Sequence, residues 1–427
     1  MRSERPDLEV PGLVEHLFRH EAGRLVANLA ASLGSRNLQL AEEVVQEAMI
    51  RALKLWPFQG VPAKPAAWLY RVARNLAMDR VRRDSNFGSK EVEIRRRLDA
   101  YTPPEESGMA REITDDQLRL VFLCCHPDLS RDARVALTLR LAAGFGVDEI
   151  ARAFFTPKAT IAQRLVRAQK KLRQSELEIE MPPPEELPAR LDAVLEALYL
   201  MFNEGYVAHQ GEDLVRTDLC VEALRLTDHI TGVAGLETPA GHALLALMLF
   251  QASRLEARID GAGELVPLER QERHRWNSRA IQRAFHHLER AASGERVTAF
   301  HLEAGIASHH AAAESFDQTD WPAILDLYDE LRRVAPSPIV ELNRTVALSR
   351  VEGLLSAVEA LGALAQEPSL TGYYLFHATR ADFLVRLGET AAAQSALRRA
   401  MNCPCTEPER RFLERRLMDL GAAPEAS

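Results

Sequence analysis

Two stretches of this chain carry side chains suited to gripping nucleic acid. In the first, Trp68 to Arg83, the residues Arg71, Arg74, Asn75, Met78 and Arg82 recur at helical spacing along one stripe. Leu69, Val72 and Leu76, with Trp68 and Ala73 beside them, make an apolar stripe on the same helix. Guanidinium groups hold phosphates and stack on bases, and an Asn amide can bond a base edge. A solvated basic face has the same composition, so this stripe by itself decides nothing. In the second stretch, Thr160, Gln163, Arg164, Arg167 and Lys171 lie beside a buried stripe of Ile161, Leu165, Ala168 and Leu172. Arg bonds guanine and Gln bonds adenine by two-point contacts in a major groove, and the further cations, Lys158 and Lys170 among them, suit phosphates. Lys158 near the positive end of a helix dipole is poorly placed for helix stability, which points to a phosphate partner.

The elements that must carry these side chains are helices. Leu40 to Leu53 reads as an acidic helix broken at Trp56-Pro57, and the basic helix follows it. From Val135 to Arg173 the pattern is helix, turn, helix. Ser130 is placed to cap a helix ending at Gly144 and Gly146, and Val147 to Phe155 makes a short second helix. Thr156 as cap and Pro157 as first residue then open a third.

Both segments, in this order, resemble the sigma-70 family of bacterial transcription initiation factors, in the extracytoplasmic-function class that keeps only regions two and four. Glu42-Glu-Val-Val-Gln-Glu-Ala48 is similar to the region-two helix that docks on the polymerase clamp, and Pro65 to Arg80 to the promoter-melting and minus-ten-reading part. Leu139-Arg-Leu-Ala-Ala143, Glu149 to Phe154 and Ala159 to Ala168 are similar to region four, although Lys158 stands where an acidic residue is expected. Later segments, Leu198 to Tyr206, Leu214 to Cys220, Ala252 to Arg258 and Ala335 to Arg344, are similar to the extension of a branch with a C-terminal tetratricopeptide-like domain. The resemblance implies core RNA polymerase and promoter DNA as partners. It assigns Glu42, Glu43, Gln46, Glu47 and Arg51 to polymerase. It assigns Arg71, Arg74, Asn75, Asp79, Arg80, Arg82 and Arg83 to the opening duplex, and Lys158, Thr160, Gln163, Arg164, Arg167, Lys170 and Lys171 to the minus-thirty-five element. It further implies that the extension regulates the factor in cis.

Composition agrees. A chain of 427 residues with 47% hydrophobic content and few aromatics fits an all-α protein of two or three cores. The net charge of −8 is divided unevenly. Up to Arg173 there are 29 basic and 22 acidic residues, and beyond it 24 and 39, giving +7 and −15. The first part can engage phosphate, whereas the acidic remainder suits a protein partner or an intramolecular contact. The expected organisation is region two over 1–84, a polar tether over 85–114 that includes Tyr101 to Gly108, and region four over 115–175. A Pro-rich spacer over 176–188, a helical block over 189–315 and repeats over 316–420 follow. Helix starts near Trp321, Leu354 and Glu389 recur at close to the roughly 34-residue tetratricopeptide period, and such pairs stack because one alone cannot bury its apolar face.

Other chemistry is disfavoured. Cys124-Cys-His126 and Cys403-Pro-Cys405 lack a paired set at zinc-finger spacing, and the five cysteines do not read as a secreted disulfide framework. His301 and Glu303 mimic half of a deaminase signature without its cysteine partner. No phosphate-cradling Gly-rich loop with Lys and Ser/Thr is present. No cofactor and no enzymatic activity are expected. Neither a membrane-spanning run nor a signal peptide at Met1 to Asp7 is read, so a cytoplasmic location is expected. The rival readings are a helix-turn-helix regulator with a tetratricopeptide sensor, acting without replacing a sigma factor, and, more weakly, a helical enzyme using the His-rich middle.

Overall fold

The computed structural model describes residues 10–83, 91–100, 110–154, 156–174, 179–206 and 217–422. Among them there are twenty α-helices, with one isolated bridge between Ile259 and Leu265 as the extended pairing. The chain divides into two compact units, Met1–Leu200 and Met201–Ser427. No described helix is long and apolar enough to cross a membrane.

In the first unit, α1 (Val10–Leu33), α2 (Leu38–Gln59) and α3 (Pro65–Arg83) pack on one another. Ala27, Ala30, Ala41, Ala48, Ala52, Ala73 and Ala77 are fully covered, and such small residues let the helix axes approach closely. The expected break at Trp56-Pro57 does not occur. Pro57 lies inside the last turns of α2, and the helix ends only where Gly60 adopts φ +80 and its N–H bonds Trp56 O at 3.0 Å. Proline costs one ladder bond there, while the buried Trp56 ring, edge-on to Trp68 at 5.4 Å, holds the final turn in the core.

Part of the stretch read as a tether is helical. Helix α4 (Glu91–Ala100) buries Ile94 and Leu98 and packs on α1 and α3, because its apolar residues four apart form a short stripe that the polar composition concealed. Tyr101 to Gly108 lies outside the described residues. Helix α5 (Ala110–Cys124) follows, then α6 (Arg131–Leu137), which continues as a π-helical segment over Thr138–Ala142. Helices α7 (Val147–Ala153) and α8 (Lys158–Gln174) complete the helix-turn-helix. Ser130 is the residue before α6, without a side-chain cap bond. Thr156 does not cap α8 either; its hydroxyl donates to Phe154 O at 2.9 Å, and Pro157 O accepts the first amides, those of Thr160 and Ile161. A local bond from a threonine hydroxyl to the carbonyl two residues before it competes with capping of the helix that follows. Helix α9 (Leu187–Tyr206) begins in this unit, where Arg190 donates to Phe122 O at 3.0 Å and Glu196 pairs with Arg131 at 2.8 Å.

The second unit is built around α11 (Pro239–Ser253), buried on nearly every side from Gly241 to Phe250. Thr238 accepts from Gly241 N–H at its start, with Pro239 at the first helical position. Around it stand α10 (Thr217–Gly232), α12 (Ser278–Ala291) and α13 (Ala299–Ala312). Helices α14 (Trp321–Val334), α15 (Pro338–Val351), α16 (Leu354–Ala363), α17 (Pro368–Thr371), α18 (Tyr374–Arg386), α19 (Thr390–Met401) and α20 (Glu407–Ala422) follow, with α14 against α15, α15 against α16, α18 against α19 and α19 against α20. Asp320 and Ser337 cap α14 and α15 by accepting early backbone amides. The expected division at 315 and 316 crosses a continuous core, in which Leu302 and Ile306 pack with Ile324, Leu325 and Leu348. Block and repeats are further tied by Glu264 with Arg411 and Arg415, each at 2.7 Å.

A histidine pair, His242 buried and His287 half-buried, joins α11 to α12. His242 Nδ1 faces His287 Nδ1 at 2.9 Å, and His242 Nε2 meets Glu237 at 3.2 Å, while Arg290 also pairs with Glu237. Burial lowers both imidazoles, His287 from 6.5 to about 4. A depressed histidine favours the neutral folded form, so its stabilisation is complete above 6.5 and drains away as pH falls from there toward about 4. The melting temperature is expected to fall over that window, with a shallower slope in His287→Gln; equal slopes in thermal scans would rule the pair out as the cause.

Candidate nucleic-acid interface

Helix α3 buries Leu69, Tyr70, Ala73, Leu76, Ala77 and Val81, so its opposite face points outward. Arg71, Asn75, Asp79, Arg80, Arg82 and Arg83 are exposed there. Arg74 is not. Its Nε donates to Leu98 O at 2.8 Å, so this arginine fastens α4 to α3 instead of standing free for DNA. Val72 and Trp68, expected in the core, are half-buried, and Tyr70 takes the deeper place.

Helix α8 buries the expected Ile161, Leu165, Ala168 and Leu172. Thr160, Gln163, Arg167, Lys170 and Lys171 are exposed. Three of the basic candidates are engaged within the protein. Lys158 pairs with Asp148 at 2.8 Å, Arg164 pairs with Asp132 at 3.2 Å, and Lys171 Nζ donates to Asp128 O. The Lys158 pair is well exposed and therefore weak, so it satisfies the lysine without a phosphate but does not prevent one.

On α2, Val44, Val45, Ala48 and Met49 face the core. Glu43 and Arg51 are exposed, and Gln46 and Glu47 are half-buried. Glu47 pairs with Arg51 at 2.7 Å and Gln46 donates to Glu42 at 3.1 Å, each one helical turn apart. Beyond them, Ile50, Leu53 and Phe58 are exposed, Phe58 to 89%, which adds apolar surface that charge patterning overlooked. Their spacing of three and eight residues on a helix already containing a separate buried stripe was the available signal.

Glu42 differs from its neighbours. Arg140, on the π-helical segment, forms an ion pair with it, and Gln169 of α8 donates to its other oxygen at 3.2 Å. Both ends of the ion pair are only 14% exposed. Neither Arg140 nor Gln169 was expected to meet α2, because nothing in local spacing relates residues about a hundred positions apart.

Among the described residues no group of three or more His, Cys, Asp or Glu could hold a metal ion, and all five cysteines are buried free thiols. His301 serves the fold. Its Nδ1 lies 2.9 Å from Thr298 Oγ1 and accepts from Thr298 N–H at 3.1 Å, closing a capping box on α13.

An all-helical chain whose α3 and α8 present polar and basic faces outward fits the class of helical transcription initiation factors, and the comparisons with known proteins identify the family. Residues 18–87 match the family model described as Sigma-70 region 2, and residues 190–292 match a family of unknown function, DUF6596. The chain belongs to the sigma-70 family of RNA polymerase sigma factors, in the extracytoplasmic-function class with a C-terminal helical extension. An uncharacterized protein, R00370 of Rhizobium meliloti (strain 1021), is 39% identical over 404 residues, covering 91% of this chain and 92% of that protein. The ECF RNA polymerase sigma-E factors of Escherichia coli (strain K12) and Salmonella typhimurium (strain LT2) are each 28% identical over 172 residues, which is 39% of this chain and 86% of theirs. No solved structure matches.

Proposed function

We propose that this chain is a dissociable initiation subunit that binds core RNA polymerase, recognises minus-ten and minus-thirty-five promoter elements and opens the duplex. The carrying observation is the exposed row Arg71, Asn75, Arg80, Arg82 and Arg83 on α3, within the stretch that matches region two. Cations there neutralise phosphate and stack on unpaired bases, and Asn75 supplies an amide for a base edge. Arg74 positions α4 in this reading. On α8, Gln163 and Arg167 are the base readers, with Thr160 and Lys170 beside them for phosphates and Lys158, Arg164 and Lys171 released from their protein partners on binding. Glu42, Glu43, Gln46, Glu47 and Arg51, extended by exposed Ile50, Leu53 and Phe58, form the polymerase-facing side of α2. The role requires no cofactor and no covalent step, and places the protein in the cytoplasm with polymerase.

In vitro transcription with purified bacterial core polymerase and upstream fragments of the source genome tests this directly. Discrete protein-dependent start sites are expected. Sequence-specific duplex binding without polymerase, and no transcript, would replace this reading with that of a helix-turn-helix regulator.

The acidic extension is proposed to act in cis on that activity. Because α9 packs on Phe122 and Arg131, a shortened chain should end after Leu200 and not at Gln174. Unchanged promoter output from the chain ending there would remove the extension from regulation.

A further inference from the structure

We infer that the free factor is held closed by a polar latch, Glu42–Arg140–Gln169, which withholds part of its polymerase-facing helix. The inference rests on the reading of α2 as that helix and adds a regulatory step to it.

Three observations converge on the latch. The Glu42 carboxylate is used on both oxygens from within the chain: Gln46 and Arg140 share one, and Gln169 takes the other. A carboxylate so occupied and largely covered cannot also meet a basic group on a partner. The arginine that reaches it stands on a π-helical turn, Thr138–Ala142, a widened geometry that shifts the direction of each following side chain and is concentrated at working sites. Its terminal carbonyl, Ala142 O, accepts Gln117 Nε2 at 2.6 Å. Finally, the approach of the two layers is close. A Cβ on Gly23 of α1 would sit 1.9 Å from Ala142 O, so only glycine allows α1 to lie against this turn.

The same contact engages the DNA-reading helix, because Gln169 lies on α8 between Arg167 and Lys170. Glu42 on the clamp-facing side and α8 on the promoter-facing side are therefore occupied by each other. Polymerase must compete with Arg140 and Gln169 for Glu42, and its apparent affinity is the intrinsic one reduced by the open fraction. A half-removed latch leaves the covered carboxylate without its cation in the closed form, whereas the open form can hydrate it, so the balance moves toward opening.

Arg140 and Gln169 are outside the proposed binding sets, so Arg140→Ala and Gln169→Ala test the latch in the full chain. Spin labels on Lys54→Cys and Gln174→Cys report the separation of α2 and α8 by pulsed dipolar spectroscopy, and core polymerase affinity is measured on the same proteins. Expected are a longer label distance in both variants and core binding tighter by about tenfold for Arg140→Ala, less for Gln169→Ala. Unchanged distances, or longer distances with unchanged affinity, would overturn the latch. If the distance lengthens but no form binds core polymerase, the contact stands and the polymerase reading fails.

Discussion

Replacing Gln163 and Arg167 together by alanine should lower transcription from a minus-thirty-five-dependent promoter by about a hundred- to a thousandfold. A good two-point contact to a base edge discriminates by about 1–3 kcal/mol, and two losses near the middle of that range total about 3–4 kcal/mol, which at tenfold per about 1.4 kcal/mol gives that range. Both side chains are exposed on α8, so the fold should survive, with core polymerase affinity unchanged. Run-off transcription and holoenzyme binding to wild-type and scrambled promoters separate the cases. Lys170→Ala should instead weaken all sequences alike and reduce the salt slope by about one. If the double variant transcribes normally, α8 does not read bases.

The largest stability effect is expected far from DNA. Glu409 is 3% exposed and accepts from Thr406 N–H and the Thr406 hydroxyl, each at 2.8 Å, and from the Tyr374 hydroxyl. Helix α20 therefore starts on a reciprocal cap that is also bonded to α18. Glu409→Ala strands these donors in a covered site at about 1–3 kcal/mol each, so a loss of about 3 kcal/mol or more is expected. Amide exchange on α18 to α20 should accelerate by about a hundredfold or more. Glu409→Gln keeps one acceptor oxygen and should recover part of that protection. Equal exchange in wild type and Glu409→Ala would show that the network adds nothing.

The polar interior of that cap was invisible to a reading based on period and composition. Thr406 and Glu409 have the three-residue spacing of a capping box, but Tyr374 is more than thirty residues away. Arg74 shows the same limit in the basic helix. Its spacing is that of Arg71 and Asn75, and only the arrival of α4 turns it from a DNA candidate into an internal tie. In α2, Pro57 argued for a break that packing of Trp56 overrode, since a proline in a last turn loses little when the preceding tryptophan is buried.

By itself, the sequence determined the helical character, the buried stripes of α3 and α8, the pairing of helices after Trp321 and the family. These depend on residues three and four apart, or on motif order along the chain, and the local geometry of a helix converts such spacing directly into a face. Only the tertiary structure decided which charged groups are free. Glu42 meets Arg140 and Gln169, and Arg164 meets Asp132, because helices far apart in the chain pack side by side, while Lys158 meets Asp148 across the turn between α7 and α8. An ion pair is set by distance in space, which no sequence period encodes.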